Sequence, residues 1–433
     1  MLKNRFIKNT GWIVGGKIFQ MAISLLISTL TARYLGPDNF GLINYTNAYI
    51  AFFNSICLLG LNGIIIKEMV SNRNDEGEII GTAITMRLFV SIFSMITLFF
   101  FFKELNPNDP LIVKIAMLQS ISLIFSSFDV INFWYQSKLQ SKISTIIQSI
   151  AYVAMSIYRV IILFLQKDVT WFAFSVSLDS IVIAILLLIS YNKNKDKNFS
   201  FSFYWVKKLI KQSWPFILSE IMITIYGQMD KIMIGDMMDK TSVGLYSVAI
   251  TVTGLWSFIP VAFIDSARPL IMEAKNYSQD VYTRRLKQLY AFIIWISFIY
   301  AFIMSLMSKY VLLILYGKQF LGAQNALIIT VWYCAFSYLG AAKNIWIICE
   351  GKMKYETLFT LIGAVSNVVL NFILIPIYGI IGAAIATLIT QIITNFFVMF
   401  LFSETRENAK LIVTAFFLKD IGTLKSIKDK IFK

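Results

Sequence analysis

Long apolar runs separated by short polar connections set the pattern of this chain. Windows of roughly 20 apolar residues, the length that crosses a bilayer as a helix, recur near 11–33, 40–66, 80–102, 111–135, 143–165 and 169–191. A lysine-rich stretch at 192–212 interrupts the series. Six more runs follow near 213–235, 244–266, 287–308, 323–349, 356–376 and 379–402. The apolar run Leu411–Leu418 in the basic tail is too short to cross. The pattern predicts an all-α integral membrane protein of about 12 transmembrane helices. It divides into an N-terminal six-helix lobe (1–191), a basic linker (192–212), a C-terminal six-helix lobe (213–402) and a basic tail (403–433).

The first two runs are parted by Arg33-Tyr34-Leu35-Gly36-Pro37-Asp38-Asn39-Phe40-Gly41. Pro37 lacks an amide donor, and Gly36 and Gly41 tolerate backbone conformations other residues avoid. One helix is expected to stop here and another to begin. Phe40-Gly41-Leu42 recurs as Val243-Gly244-Leu245, and the same offset sets the start of the first run beside Trp214-Pro215, where the seventh begins. The chain therefore reads as two six-helix repeats. Each has an even number of spans, so both enter from the same side and are parallel, two lobes around a central cavity.

Composition sharpens this picture. With 58% hydrophobic and only 15% charged residues, the chain holds more apolar surface than a soluble domain can bury. The net charge of +15 does not form a nucleic-acid patch, because the basic residues lie between the apolar runs. The connections on one face hold only Lys103, Lys167, Lys240, Lys309 and Lys318. The N-terminus, the other connections and the tail hold most of the rest, which places both termini in the cytoplasm. Lys3, Arg5 and Lys8 precede the first run as in a signal peptide, but the run is too long and no cleavage pattern follows, so it is expected to remain as the first span.

Several chemistries are excluded. The chain has no histidine, which removes imidazole ligands, histidine proton relays and histidine-dependent triads. Cys57, Cys334 and Cys349 sit in apolar runs at no metal-like spacing and read as core residues, so neither a disulfide framework nor a metal site is expected. No phosphate-binding loop is present, so ATP hydrolysis is not the energy source, and no cofactor and no catalytic residues are assigned. The connection near 309–322 is the largest on the outer face, and none is long enough for an external catalytic domain. Trp12, Trp134, Tyr135, Trp171, Trp205 and Trp214 fall near span ends and are expected to anchor at the interface.

A charge near the middle of a span costs roughly 2.5–3.5 kcal/mol on the insertion scale, so such residues usually face a cavity or a partner. The candidates are Lys17, Arg33, Arg87, Arg159, Lys231, Lys343, Asp129, Asp179, Glu220, Asp230 and Asp265. For Arg33, Lys343 and Asp265, close to span ends, snorkelling to the headgroups is the competing explanation. The repeat offset maps Lys17 onto Glu220, which suggests a pair across the cavity, set against two positions each satisfied in its own lobe.

The turn Arg33-x-Leu35-Gly36-Pro37-x-x-Phe40-Gly41 resembles a known family. So do Asp230-Lys231-Ile232-Met233-Ile234-Gly235 with Val243-Gly244-Leu245-Tyr246, and Glu350-Gly351-Lys352 followed by Asn367, Asn371 and Ile375-Pro376-x-Tyr378-Gly379-x-x-Gly382-Ala383-Ala384-x-Ala386-Thr387. Together, over about 400 residues, they resemble the Wzx-type polysaccharide flippases of the MOP exporter superfamily (O-antigen and capsule repeat units). The resemblance implies a MATE-like fold and a flippase of the bacterial inner membrane. Its substrate would be an undecaprenyl-pyrophosphate-linked oligosaccharide, moved from the cytoplasmic to the periplasmic leaflet, with membrane lipids, a polysaccharide polymerase and a chain-length regulator as partners. A pyrophosphate needs fixed cations, which makes Lys17, Arg33, Arg87, Arg159 and Lys231 the candidate head-group ligands. Asn44, Asn47, Gln119 and Gln228 are available for sugar hydroxyls, against helix–helix hydrogen bonding. Asp179, Glu220 and Asp230 are the candidates for ion coupling or gating, and flipping pulled by later polymerisation fits equally. The alternative is an ion-coupled multidrug or small-molecule exporter of the same superfamily.

Overall fold

The computed structural model describes residues 2–194 and 198–418, with side-chain surroundings from residue 23 onward. The described residues are helical throughout, without strands. In order the helices are α1 (Leu2–Cys57), α2 (Asn62–Ser71), α3 (Glu76–Leu105), α4 (Pro110–Ser126), α5 (Val130–Ser137), α6 (Ser141–Phe164), α7 (Val169–Asn194) and α8 (Phe203–Met237). They continue as α9 (Lys240–Gly254), α10 (Phe258–Tyr277), α11 (Gln279–Leu315), α12 (Gln324–Cys349), α13 (Met353–Tyr378), α14 (Ile380–Ile392), a π-helical turn (Ile393–Phe397), α15 (Val398–Leu401) and α16 (Arg406–Phe416). Among the described residues nine helical stretches are long and apolar enough to cross a bilayer, ten if the α9–α10 pair, bent by 44°, is one span. The first, Ile23–Ser71, has 49 residues, more than twice the length one crossing needs. The arrangement is consistent with the twelve spans expected, and the chain is a multi-pass membrane protein.

The nine-residue turn expected at 33–41 is far tighter than a loop. Helical geometry runs through it apart from Gly36, at φ 72° and ψ 173°. Glycine alone reaches that conformation cheaply, and Pro37 then sits at the first position of the next segment, where its missing amide costs nothing. The run expected at 40–66 also differs. Helix α1 ends at Cys57, the backbone passes through Leu59 and Gly60 at φ 54° and 57°, and α2 begins at Asn62.

Contacts divide the chain into two units. The first comprises Met1–Gly235 with Asp239–Gly244, the second Asp236–Met238 with Leu245–Lys433. In the first, Leu61, Ile65, Ile80, Ile131, Trp134, Tyr191, Trp205 and Leu209 form one core. Trp134 and Trp205 are 2% and 1% exposed, which corrects their expected interfacial role. The Trp134 indole donates to Glu76, and Trp205 carries the Lys208 ammonium over its ring. Trp171 and Trp214 are exposed, as an interface anchor should be. Much of the basic linker is ordered against this unit. The Ser200 amide donates to Gly77, the Ser202 amide to Thr82, and Phe199 stacks on Tyr191. Lys195 and Lys197 lie outside the described residues.

In the second unit the motif ending in Gly382 has a packing explanation. Gly379, at φ 58°, links α13 to α14, and a Cβ on Gly382 would overlap the Leu374 carbonyl. The two helices can double back closely only with glycine there. The short apolar run of the tail forms one face of α16, where Leu411, Ile412 and Ala415 are buried against the core around α11 and α12. Residues 419–433 lie outside the described residues.

Candidate functional site

A helix that breaks inside an apolar segment leaves carbonyls with no helical donor and no water. At the α1–α2 break the Leu58 carbonyl keeps only a turn bond, from the Leu61 amide at 3.2 Å. Arg87 of α3 supplies a second donor, its Nη2 lying 3.0 Å from Leu58 O and 2.9 Å from Asn62 Oδ1. Arg87 is 1% exposed, with its guanidinium 5.7 Å from the centre of the Phe133 ring. Its Nε and Nη1 have no hydrogen-bond partner among the described residues. Asn62 continues the chain, its Nδ2 donating to Glu220 Oε1 of α8 at 3.4 Å.

Asp129 lies in the 3-10 turn between α4 and α5 and accepts from Asn132 Nδ2 at 3.2 Å. It feels the charges of Arg87 and of Asp179 on α7. Asp179 in turn feels Arg159 of α6, whose Nε donates to Ser175 Oγ at 3.0 Å. The first unit thus holds an electrostatic chain in the order Arg159, Asp179, Asp129, Arg87, Glu220, contributed by α6, α7, the α4–α5 turn, α3 and α8. Two cations face three carboxylates. Such a set can accept a proton or cation, and the two unpartnered donors of Arg87 can accept an anion.

The sequence candidates fall unevenly around this chain. Arg87, Arg159, Asp179 and Glu220 belong to it, and Asp129, given no role in advance, is its middle member. Lys231 is elsewhere on α8, its Nζ 3.3 Å from Gln228 Oε1 and beside the charge of buried Asp230. Arg33 is exposed in the last turn before Gly36. The side chain of Lys17 lies outside the described residues, as does Trp12, so a Lys17–Glu220 pair stays an expectation. Glu220 meets Asn62 and the charge of Arg87 instead. Gln119 accepts from Thr46 Oγ1 at 2.7 Å and donates to Ile43 O, and Asn44 donates to Phe40 O. Gln119 thus ties α4 to α1, while the Asn44 bond stays within its own helix.

Two clusters went unforeseen. Glu68, 4% exposed, accepts from Lys208 Nζ at 2.8 Å, Gln212 Nε2 at 3.0 Å and Asn72 Nδ2 at 2.9 Å. It fastens the start of α8 to α2. In the second unit Lys343 is fully buried, 3.3 Å from Glu356 Oε2 and 3.4 Å from Asn395 Oδ1 in the π-helical turn. Snorkelling is therefore not its role. Asp265 is exposed and pairs with Arg268, as a residue near a span end can. The one advance signal for these clusters was the presence of a charge inside an apolar run, which names no partner.

Comparison with known proteins bears on what this frame carries. A family model described as polysaccharide biosynthesis protein matches residues 6–275. The probable flippase AglR of Haloferax volcanii is 21% identical over 391 residues, covering 87% of this chain and 79% of that one. The capsular polysaccharide biosynthesis protein CapF of Staphylococcus aureus is 20% identical over 404 residues, covering 89% and 96%. Among solved structures, the lipid II flippase MurJ in an inward closed conformation superposes with a TM-score of 0.69 at 16% identity, over 94% of this chain and 92% of that one. An inward-facing multidrug resistance MATE family transporter of the MOP superfamily gives 0.67 at 13% identity, over 91% and 96%.

Proposed function

Since the chain belongs to the polysaccharide biosynthesis protein family of MOP-fold flippases, we propose that it moves undecaprenyl-pyrophosphate-linked oligosaccharide repeat units from the cytoplasmic to the periplasmic leaflet by alternating access. The family match carries this reading. The relatives support it by what their names state, a flippase in one case and capsule synthesis in the other. The protein would act in the inner membrane with both termini cytoplasmic, ahead of a polymerase and a chain-length regulator, as a transporter rather than an enzyme.

The electrostatic chain of the first unit supplies the chemistry that reading needs. A pyrophosphate head brings about two negative charges out of water and needs fixed donors, which guanidinium groups offer in planar pairs. Arg87 holds two unpartnered donors in a buried position, and Arg159, Arg33, Lys231 and Lys17 are the further cations of the proposed path. Asp179, Glu220 and Asp230 are the carboxylates proposed for coupling to an ion or for gating. Asp129 adds a fourth, which feels the charges of both Arg87 and Asp179.

Deleting the gene tests the reading. Polyprenyl-linked oligosaccharide should accumulate on the cytoplasmic leaflet, surface polysaccharide should be lost, and this chain in trans should restore both. Unchanged surface polysaccharide together with increased drug sensitivity would assign the protein to small-molecule export instead.

A further inference from the structure

The last apolar run departs from α-helical winding near its end. Over Ile393–Phe397 it takes the wider π form, which inserts a residue into the helical ladder and recurs at functional sites. Helix α12 makes room for that turn and holds it. A Cβ on Gly340 would overlap Asn395 Oδ1, and Lys343 Nζ lies 3.5 Å from Thr394 O and 3.4 Å from Asn395 Oδ1. Asn395 also donates to Gln391 Oε1 at 2.7 Å. With these polar groups fixed, Phe396 and Phe397 of the same turn form part of the wall of a groove.

The groove has a volume of about 420 Å³ and is walled also by Phe298 of α11, Phe336 of α12, and Phe416 and Phe417 of α16. That volume is within the range of small-molecule sites, ~300–1,000 Å³. Every lining residue is apolar, so water entering it would find no hydrogen-bond partner. The walls are preset by aromatic packing. Phe298 meets Phe336 and Phe416 with ring centres 6.4 and 6.1 Å apart, and Trp295 stacks on Phe416. Phe397 and Phe417 are more than half exposed and form the mouth.

Positive charge lies toward one end. The buried Tyr290 hydroxyl donates to Asn408 Oδ1 at 2.8 Å, which sets α11 beside α16. From that bond both helices run on into the groove. Lys287, Ile294 and Phe298 form one stripe of α11, at i, i+7 and i+11, and Lys410, Val413 and Phe417 one stripe of α16, at i, i+3 and i+7. The later members of each stripe line the groove, and each stripe begins with a cation. Arg406 adds a further positive charge to the exposed face of α16, against Glu407.

We propose that this groove binds one anionic phospholipid of the cytoplasmic leaflet, an acyl chain lying among the phenylalanines and the phosphate at Lys287 and Lys410. An apolar body with a single anionic end matches an apolar groove with a cationic end. Ammonium groups serve phosphate as point charges, and cations at the membrane surface gather anionic lipid. The lipid is a resident component, not cargo. It wedges α16 against α11 and α12 and backs the π-helical turn opposite Lys343. The leaflet follows from the charge count that puts the tail in the cytoplasm, and the site is independent of what the protein moves.

The test titrates the full-length protein in detergent with phosphatidylglycerol, phosphatidylethanolamine or undecaprenyl phosphate, and reads bound lipid by native mass spectrometry. One phosphatidylglycerol should bind at least fivefold more tightly than phosphatidylethanolamine and raise the unfolding midpoint. Val413→Trp, which fills the groove, should weaken that binding at least tenfold. Val365→Trp, at an exposed position of α13, should not. Lys287→Gln combined with Lys410→Gln should keep a lipid bound and lose the headgroup preference. Undiminished binding by Val413→Trp overturns the site. So does an equal headgroup preference in the wild type and the double lysine variant, a result that decides the matter even where Val413→Trp fails to fold. Displacement of phosphatidylglycerol by an equal concentration of undecaprenyl phosphate would give the groove to a polyprenyl chain and overturn the resident phospholipid.

Discussion

Arg87 donates a 3.0 Å hydrogen bond to the carbonyl of Leu58, at the point where the first long helix breaks. An arginine inside an apolar run is thus tied to a backbone defect on a neighbouring helix. A polar demand created by one segment is met by another 29 positions later. The same guanidinium reaches Asn62 and, through it, Glu220, so one residue joins the helix break to the proposed transport path.

Replacing Arg87 should therefore cost stability as well as transport. Arg87→Met takes from the Leu58 carbonyl and from Asn62 the guanidinium donor they share and from Asp129 the cation whose charge it feels, an expected loss of about 3–5 kcal/mol. Arg87→Lys retains one donor and the charge, and should lose about half as much. Thermal unfolding in detergent, followed by size-exclusion chromatography, ranks the two. Equal midpoints would show that the break does not depend on a donor from α3.

The buried pair of the second unit predicts an asymmetry. Lys343 has no exposed surface, whereas the Glu356 side chain is 28% exposed. Removing the carboxylate with Glu356→Ala leaves a buried ammonium without its counter-charge and should cost about 3 kcal/mol or more, while Lys343→Met leaves a carboxylate on a partly exposed side chain and should cost less. The double variant should be more stable than Glu356→Ala alone. A double-mutant cycle on unfolding midpoints checks the order.

Glu404 ties the turn before α16 to Lys352 at 3.1 Å and Lys354 at 3.7 Å. The hydrogen bond from Lys352, then that from Tyr355, holds its carboxyl below the usual carboxylate range. A lowered pKa stabilises the docked tail above the ordinary carboxylate value, and the contribution falls away as pH drops from there through the lowered value. Protease protection of residues 406–416 should decline over that acidic window. Glu404→Gln should reduce protection at neutral pH and remove the pH dependence.

Close approach at the α13–α14 link predicts a sharp contrast between glycines. Gly382→Ala forces a Cβ into the Leu374 carbonyl and within 3.0 Å of the Ile375 nitrogen, so the helices must spread, at a cost of about 2–4 kcal/mol. Gly254→Ala meets nothing within 4 Å and should be neutral or slightly stabilising. Expression level and melting midpoint of the two variants decide this.

The amino-acid sequence by itself determined the class, because apolar runs of bilayer length and basic connections between them report the solvent directly. It also determined the set of charges inside the apolar runs, since that is a property of position along the chain. Which charges meet was decided by tertiary structure alone. Leu59 at positive φ carries no sequence mark, so the helix break, and with it the partner of Arg87, could not be placed in advance. Window hydropathy locates a residue along a span but not around it, which is why Trp134 and Trp205 were expected at the interface and lie in the core. Position along the span leaves Lys343 open between a buried partner and the headgroups for the same reason, and it meets Glu356 because a buried ammonium is held by whichever carboxylate the packing of α12 on α13 brings within 3.3 Å.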